Sequence, residues 1–164
     1  MKSITFDVFD QASINNAARE LNAYAKRLND KARDIAKELA KIGVTLVAIE
    51  YSRVPYQGVK DVTLSVEVGP RPRSYAIVAS GETALILEFG AGIKYGFGHP
   101  LEGQLGMGAG TYPGQTHALD RNGWYVPGTR EHTYGNPPSM AMYLSAKEIE
   151  NRVLQVVKEV FSRD

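Results

Sequence analysis

Large apolar residues recur at every seventh position through the N-terminal quarter of the chain. This spacing places them on one face of an α-helix, because seven residues make close to two helical turns. They are Ile14, Leu21, Leu28, Ile35 and Ile42, and the first four are followed four positions later by Ala18, Ala25, Ala32 and Leu39. Asp10 or Ser13 can cap the start of the helix, and Gly43 is suited to end it. A helix of about 30 residues is ~45 Å long, which exceeds the width of a small domain. We therefore expect it to lie across its own sheet and to offer Ala18, Ala25 and Ala32 as a close-packing seam for a partner.

Short β-compatible runs follow this helical region. Strands are expected at residues 3–9, 45–51, 61–68 and 73–79, the third with clean alternation of apolar and polar residues. Residues 82–89 are compatible with a helix or a strand, and we favour the helix. Helical spacing returns from Ser139 or Ser145, where Ser145 and Glu148 match a capping box. The predicted fold class is α+β in a single domain over residues 1–164: an antiparallel sheet of about four strands, packed by a long N-terminal helix and a C-terminal helix.

The stretch from Glu88 to Pro138 differs in composition from the rest of the chain. It is rich in glycine and contains His99, His117, His132 and the single tryptophan, Trp124. Such a segment buries little side chain and loses much backbone entropy on ordering, and long loops in compact domains are usually functional or disordered. We name residues 90–136 the arm. The Asn122-Gly123 dipeptide lies between two β-compatible runs, which predicts a β-hairpin within the arm.

Composition excludes several classes of function. The chain has no cysteine, so a thiol nucleophile and a cysteine-ligated zinc are excluded, and its net charge of +1 argues against a basic nucleic-acid surface. It contains no apolar run near the ~20 residues that span a bilayer and no apolar region of a signal peptide at its start. No Walker A loop or Gly-x-Ser-x-Gly elbow is present. We expect a protein without catalytic residues, cofactor or membrane contact.

A metal site is the alternative for the arm. Its histidines, together with Glu88, Glu102, Asp120 and Glu131, are the side-chain types that ligate metals. The histidines are far apart in sequence and lie in loop-like surroundings, whereas zinc sites usually have closely spaced ligands on rigid elements. Aromatic residues with few charges are typical of protein–protein contacts. The arm is therefore interpreted as an interface segment without a metal.

Two segments resemble a known family. Residues 83–92, which include Glu88-Phe89-Gly90-Ala91-Gly92, are similar to the Glu-Phe-Gly-Thr/Ala-Gly signature of the tail-completion (neck, or minor tail component) proteins of long-tailed phages. Residues 132–140, from His132 to Met140, resemble the stretch that introduces the last helix of that family. The order of predicted elements is also similar.

The resemblance implies a structural virion protein with no enzymatic activity. Such a protein joins the head-closure ring to the tail tube as a homo-oligomer, expected to be a hexameric ring, and its partners are head-closure and tail-terminator or tail-tube proteins. It would occur in the phage neck, and in the host cytoplasm during assembly, and would bind no specific nucleic acid beyond lining a DNA channel. The expected assembly interface comprises Glu88 as a hydrogen-bond acceptor or ion-pair partner and the apolar anchors Phe89, Tyr95, Phe97, Trp124 and Tyr125. Two alternatives are a phage metal-dependent hydrolase that uses the arm histidines and another ring component such as a tail terminator.

Overall fold

The chain is α+β, with a long helix at each end. A computed structural model describes residues 4–56 and 58–163. In chain order its elements are α1 (Gln11–Arg53), β1 (Thr63–Val68), β2 (Tyr75–Ser80), α2 (Ala84–Phe89), α3 (Glu102–Leu105), β3 (Trp124–Tyr125), β4 (His132–Thr133) and α4 (Ala141–Phe161). The predicted N-terminal and C-terminal helices, the two strands that became β1 and β2, and the helical state of residues 84–89 are confirmed.

Helix α1 begins where the sequence predicts but ends later. Asp10 is the N-cap, and its carboxylate accepts hydrogen bonds from the backbone N–H groups of Ala12 at 3.0 Å and Ser13 at 3.2 Å. Gly43 does not end the helix. It is buried inside it, where an added Cβ would lie 2.6 Å from Ile149 Cδ1 and would also meet Ile77 Cδ1. The glycine permits close packing of α1 on β2 and α4, so the predicted helix stop is wrong.

The predicted strand at residues 45–51 is also wrong, because these residues continue α1 to Arg53. Val47 and Tyr51 are 1% and 6% exposed, and they form the main core with Val54, Leu87 and Ala141. Burial of these side chains by α2 and α4 outweighs the weak strand preference of β-branched residues.

The predicted total of about four antiparallel strands agrees with the structure, but the strands form two separate pairs and not one sheet. β1 pairs antiparallel with β2 in the register Thr63 to Ser80 and Val68 to Tyr75. β3 pairs only with β4 among the described residues. Residues 4–9 of the predicted first strand form no strand, and residue 3 lies outside the described residues.

Helix α4 begins at Ala141, between the two predicted starting points. Ser145, the predicted capping residue, is 2% exposed in the helix interior, and its Oγ has no hydrogen-bond partner. α4 packs lengthwise on α1, and the Nζ of Lys31 donates to the carbonyl oxygen of Val160 at 2.7 Å. The core therefore lies where the C-terminal end of α1 meets α2 and the start of α4.

Candidate functional site

A buried carboxylate, that of Glu88, lies at the centre of the contacts between the helices and the arm. Glu88 is 6% exposed, at the end of α2. Its Oε2 accepts from the Met142 N–H at 2.8 Å and from the Tyr51 hydroxyl at 3.4 Å. Its Oε1 accepts from the Tyr143 N–H at 3.1 Å and lies 3.1 Å from His99 Nε2. We name these five residues the Glu88 junction. Each carboxylate oxygen has two partners, which is how a buried charge is made tolerable.

The hydrogen bonds of His99 define its tautomer. Its Nδ1 accepts from the Leu101 N–H at 3.1 Å, so the ring proton is on Nε2 and is donated to Glu88. The ring is 3% exposed and lies 4.3 Å from the Phe89 ring, centroid to centroid, and 5.7 Å from that of Tyr143. This is a neutral histidine that connects the arm to α2 through a hydrogen bond and aromatic packing.

Glu88 supplies the N-terminal cap of α4. The first N–H groups of a helix lack intrahelical acceptors. The Ser139 Oγ accepts from the Ala141 N–H at 3.4 Å, and the Glu88 carboxylate accepts from the next two. Met140, directly before α4, has the left-handed φ of 57°, and its N–H donates to the Glu88 carbonyl at 3.2 Å. Burial, followed by the charge of Glu88, raises the pKa of Tyr51, which keeps its hydroxyl protonated as a donor.

The two ends of the arm are held together by hydrogen bonds within the arm. The Tyr112 hydroxyl donates to the Gly90 carbonyl, and Gln115 Nε2 donates to the same oxygen at 3.3 Å. Burial raises the pKa of Tyr112 to about 12, and the hydrogen bond with Gln115 opposes this rise only in part. Ala91 and Asn136 exchange two backbone hydrogen bonds of 2.9 and 3.1 Å. The first and last residues of the arm thus lie side by side.

The arm contains a hairpin, but its turn differs from the predicted one. β3 and β4 pair through Trp124 with Thr133 and Tyr125 with His132, and the chain reverses between Val126 and Glu131. The predicted turn at Asn122-Gly123 lies before β3. Gly123 has φ of 73°, and an added Cβ there would meet the Thr133 carbonyl. The Asn122-Gly123 dipeptide therefore forms a turn directly before β3, and the reversal of the hairpin itself lies further along the chain.

The remaining histidines have aromatic neighbours. His117 stacks on Trp124 with ring centroids 5.8 Å apart, and His132 lies edge-on between Tyr125 at 5.1 Å and Tyr134 at 5.0 Å. Over residues 4–56 and 58–163, no three His, Asp or Glu side chains are grouped so that they could hold a metal. Each described histidine packs against an aromatic ring.

A cleft of about 780 Å³ separates the hairpin from the body. Its walls include Pro55 and Tyr56 from the segment after α1, Ile86 from α2, and Trp124 and Pro127 from the hairpin. This volume falls within the range of sites that accept small molecules or side chains of a partner.

The expected interface residues occupy two environments. Glu88 and Phe89 are buried at 6% and 7% exposure, whereas Tyr95, Phe97 and Tyr125 are 47%, 52% and 67% exposed. Trp124 is half-buried, and the seam residues are all exposed on α1, namely Ala18, Ala25 and Ala32. Sequence reasoning missed the participation of Tyr51, Met142 and Tyr143, because no local pattern relates them to Glu88.

No family model, curated protein or solved structure matches the chain. Among the described helices, none is long and apolar enough to cross a membrane.

Proposed function

We propose that this chain is a structural protein of a phage neck, which joins the head-closure ring to the tail tube as one subunit of an oligomeric ring. The proposal begins from the similarity of residues 83–92 and 132–140 to the tail-completion family. In this structure the two segments adjoin each other, since Ala91 and Asn136 are hydrogen-bonded and Asn136 Nδ2 donates to the Ile86 carbonyl at 3.1 Å. A signature that is used to hold two distant segments together fits a structural role.

The observation with the most weight is the division of the arm into a buried base and an exposed aromatic surface. Glu88, Phe89 and His99 are buried at the base, while Tyr95, Phe97 and Tyr125 are exposed. Exposed aromatic residues are favoured as anchors at protein interfaces. In an assembly, the Glu88 junction would hold the base of the arm in place, and the exposed aromatic residues of the arm would pack against a neighbouring subunit.

A ring follows if the arm of one subunit contacts a different surface of the next. Such a heterologous contact closes into a ring when its rotation permits. The cleft between the hairpin and the body is a concave surface on the same subunit. We assign it as the site where the apolar side chains of a neighbouring subunit's arm bind.

The test replaces the three exposed arm aromatics with serine (Tyr95→Ser, Phe97→Ser and Tyr125→Ser). Native mass spectrometry of the purified chain, with and without the products of the adjacent head and tail genes, gives the copy number. We expect wild-type rings, six copies being the number that the resemblance implies, and loss of the ring in the triple variant. The control replaces three apolar residues that are more exposed but lie outside the arm, namely Val59, Val68 and Leu154.

Two results would contradict the proposal. One is that the arm triple and the control triple give the same distribution of masses. The other is a stoichiometric zinc or iron content of the purified protein that is lost on substitution of His117 and His132, which would favour a metal-dependent hydrolase. The position of the gene, between head-closure and tail-tube genes or elsewhere, is an independent check.

A further inference from the structure

The N-terminal part of α1 extends beyond the rest of the domain. α4 ends beside Lys31, whose Nζ donates to the Val160 carbonyl and lies 5.6 Å from the centroid of the Phe161 ring. Residues 11–30, which we name the overhang, continue α1 past this point for ~30 Å. On the overhang, Leu21, Tyr24 and Leu28 are 56%, 53% and 39% exposed.

The exposed face of the overhang is the continuation of an interface that already exists. The same seven-residue row is half-buried at Ile35 and Ile42, where α1 packs in the body, and exposed at Leu21 and Leu28. In proteins most helical stability comes from covering the apolar face of the helix. A row that continues past the end of its cover is therefore a surface on which a further helix can pack.

We propose that the overhang packs against the overhang of a second copy of this chain, in an antiparallel two-fold pair. In antiparallel pairing two large residues of the row face an alanine: Leu21 of one copy lies opposite Ala18 of the other, and Ile14 lies opposite Ala25. Leu28 lies opposite Gln11 at the edge of the pair. Alternation of large and small residues lets the helices interdigitate at short separation. The exposed Ala18 and Ala25 are the positions that this geometry needs.

Charge favours the antiparallel direction. Two acidic residues, Asp7 and Asp10, directly precede the overhang, and towards its other end the basic Lys26 and Arg27 outnumber the acidic Asp30. An antiparallel pair brings each acidic end beside a basic end, whereas a parallel pair places like charges together. The opposed helix dipoles add to this preference.

The register is set by what adjoins the overhang. The Asn29 side chain already accepts a hydrogen bond from Arg73 in the β1–β2 turn, so the pairing we assign ends at about Leu28 and leaves the exposed Ala32 outside it. Pairing of residues 11–28 then places Phe9 of each copy, which is 96% exposed, beside the partner's Phe161, which is 46% exposed. The pair thereby covers the most exposed large apolar side chain of the described residues.

This two-fold contact is separate from the proposed role in a neck. It uses α1 and residues 4–10, whereas the ring contact uses the arm, so either can fail without the other. If the ring forms but the overhang pair does not, the two-fold inference alone is wrong. If the overhang pair forms but the ring does not, the proposed function alone is wrong.

The first test compares Ala25→Glu with Ala23→Glu. Both residues are exposed alanines of α1, so the substitutions have similar costs in helix propensity, but only Ala25 lies on the seam. The three proteins are compared in the background of the arm triple variant, Tyr95→Ser, Phe97→Ser and Tyr125→Ser, which removes the ring contact and leaves the overhang intact. In that background analytical ultracentrifugation is expected to give a dimer for the unchanged overhang and for Ala23→Glu, and a dimer dissociation constant raised at least tenfold for Ala25→Glu. Circular dichroism checks that all three proteins remain helical. A monomer with the unchanged overhang, or equal effects of the two substitutions, would overturn the proposal.

The second test measures direction without disturbing the seam. Since the chain has no cysteine, Asn16→Cys and Asp30→Cys each provide a single site for a nitroxide label. In the proposed pair the two Asn16 labels lie near the two-fold axis and the two Asp30 labels lie towards opposite ends, so the Asp30 distance by pulsed electron resonance is the longer. Equal distances at the two sites would mean a parallel pair and would reject the antiparallel arrangement.

Discussion

Glu88 Oε2 accepts a hydrogen bond of 2.8 Å from the backbone N–H of Met142, although 54 positions separate the two residues. The start of α4 is therefore capped by the last turn of α2. The same carboxylate also accepts from Tyr51 and His99, so four segments of the chain meet at one charge. The stability of the body and the position of the arm base depend on the same residue.

Substitution of Glu88 by glutamine is expected to lower the free energy of unfolding by about 1–3 kcal/mol. The amide has one acceptor oxygen, so at least one buried N–H donor loses its partner, and an unsatisfied buried donor costs about this much. Denaturant unfolding measures the change. Glu150→Gln, at an exposed carboxylate that pairs with Lys147, is the control and should change stability by no more than about 0.5 kcal/mol. Equal effects of the two substitutions would refute the central role of Glu88.

Alanine at Gly135 is expected to destabilise the protein more than alanine at Gly98. The two glycines have φ of 106° and 101°, so both substitutions impose a similar backbone strain, of order 1–2 kcal/mol. An added Cβ at Gly135 would also meet the Ala91 carbonyl oxygen, whereas at Gly98 it would meet nothing within 4 Å. Thermal unfolding of both variants isolates the contribution of the close approach between the arm ends. Equal losses would show that residues 91 and 135 are not held in contact.

Asp61 is expected to make stability fall in acid. The Thr83 hydroxyl, followed by the N–H groups of Thr83 and Glu82, lowers the pKa of Asp61 from 3.8 to about 2. Because the folded-state pKa is the lower one, the stabilisation is present above pH 4 and is lost as the pH falls towards 2. Asp61→Asn should flatten the stability profile in this window relative to wild type, and nuclear magnetic resonance titration of the carboxyl gives the pKa directly. A carboxyl that titrates near 3.8 would contradict the contact.

Tyr112 is expected to make stability fall in alkali. Burial raises its pKa from 10.0 to about 12, so its stabilising contribution is complete below pH 10 and is lost as the pH rises towards 12. Tyr112→Phe removes the ionisable group, and the fall in unfolding free energy between pH 10 and pH 12 should be smaller than in wild type. The pKa of Tyr51 is also raised. Because Tyr51 is present in both wild type and Tyr112→Phe, its contribution to the pH dependence of stability cancels when the two are compared. Identical alkaline profiles would show that Tyr112 is accessible to solvent.

Local patterns predicted the elements that depend on local interactions. The start of α1 at Asp10 follows from side-chain capping of nearby N–H groups, and β1 follows from its alternation of residues. The existence of α4 follows from helical spacing. In each case the atoms that decide the outcome are within a few positions of one another, so a sequence window contains the needed information.

Among the expected interface residues, sequence reasoning identified Glu88 as a hydrogen-bond acceptor but not its donors. Tyr51 lies 37 positions earlier and Tyr143 lies 55 positions later. His99 attracted attention as a metal ligand, yet its nitrogens are both engaged, with Glu88 and with the Leu101 N–H. Contacts at such separations leave no periodic signal in a single sequence.

The sequence by itself determined that this chain has a long amphipathic helix, a β1–β2 pair, a C-terminal helix and a glycine-rich segment between them. Only the tertiary structure decided that Gly43 is a packing position and not a stop, that the strands divide into two pairs, and that α4 is capped by Glu88. The physical reason is that capping, periodicity and turn preference act over a few residues. Burial of Val47, the hydrogen bonds of Glu88 and the uncovered face at Leu21 depend instead on which distant segment lies alongside.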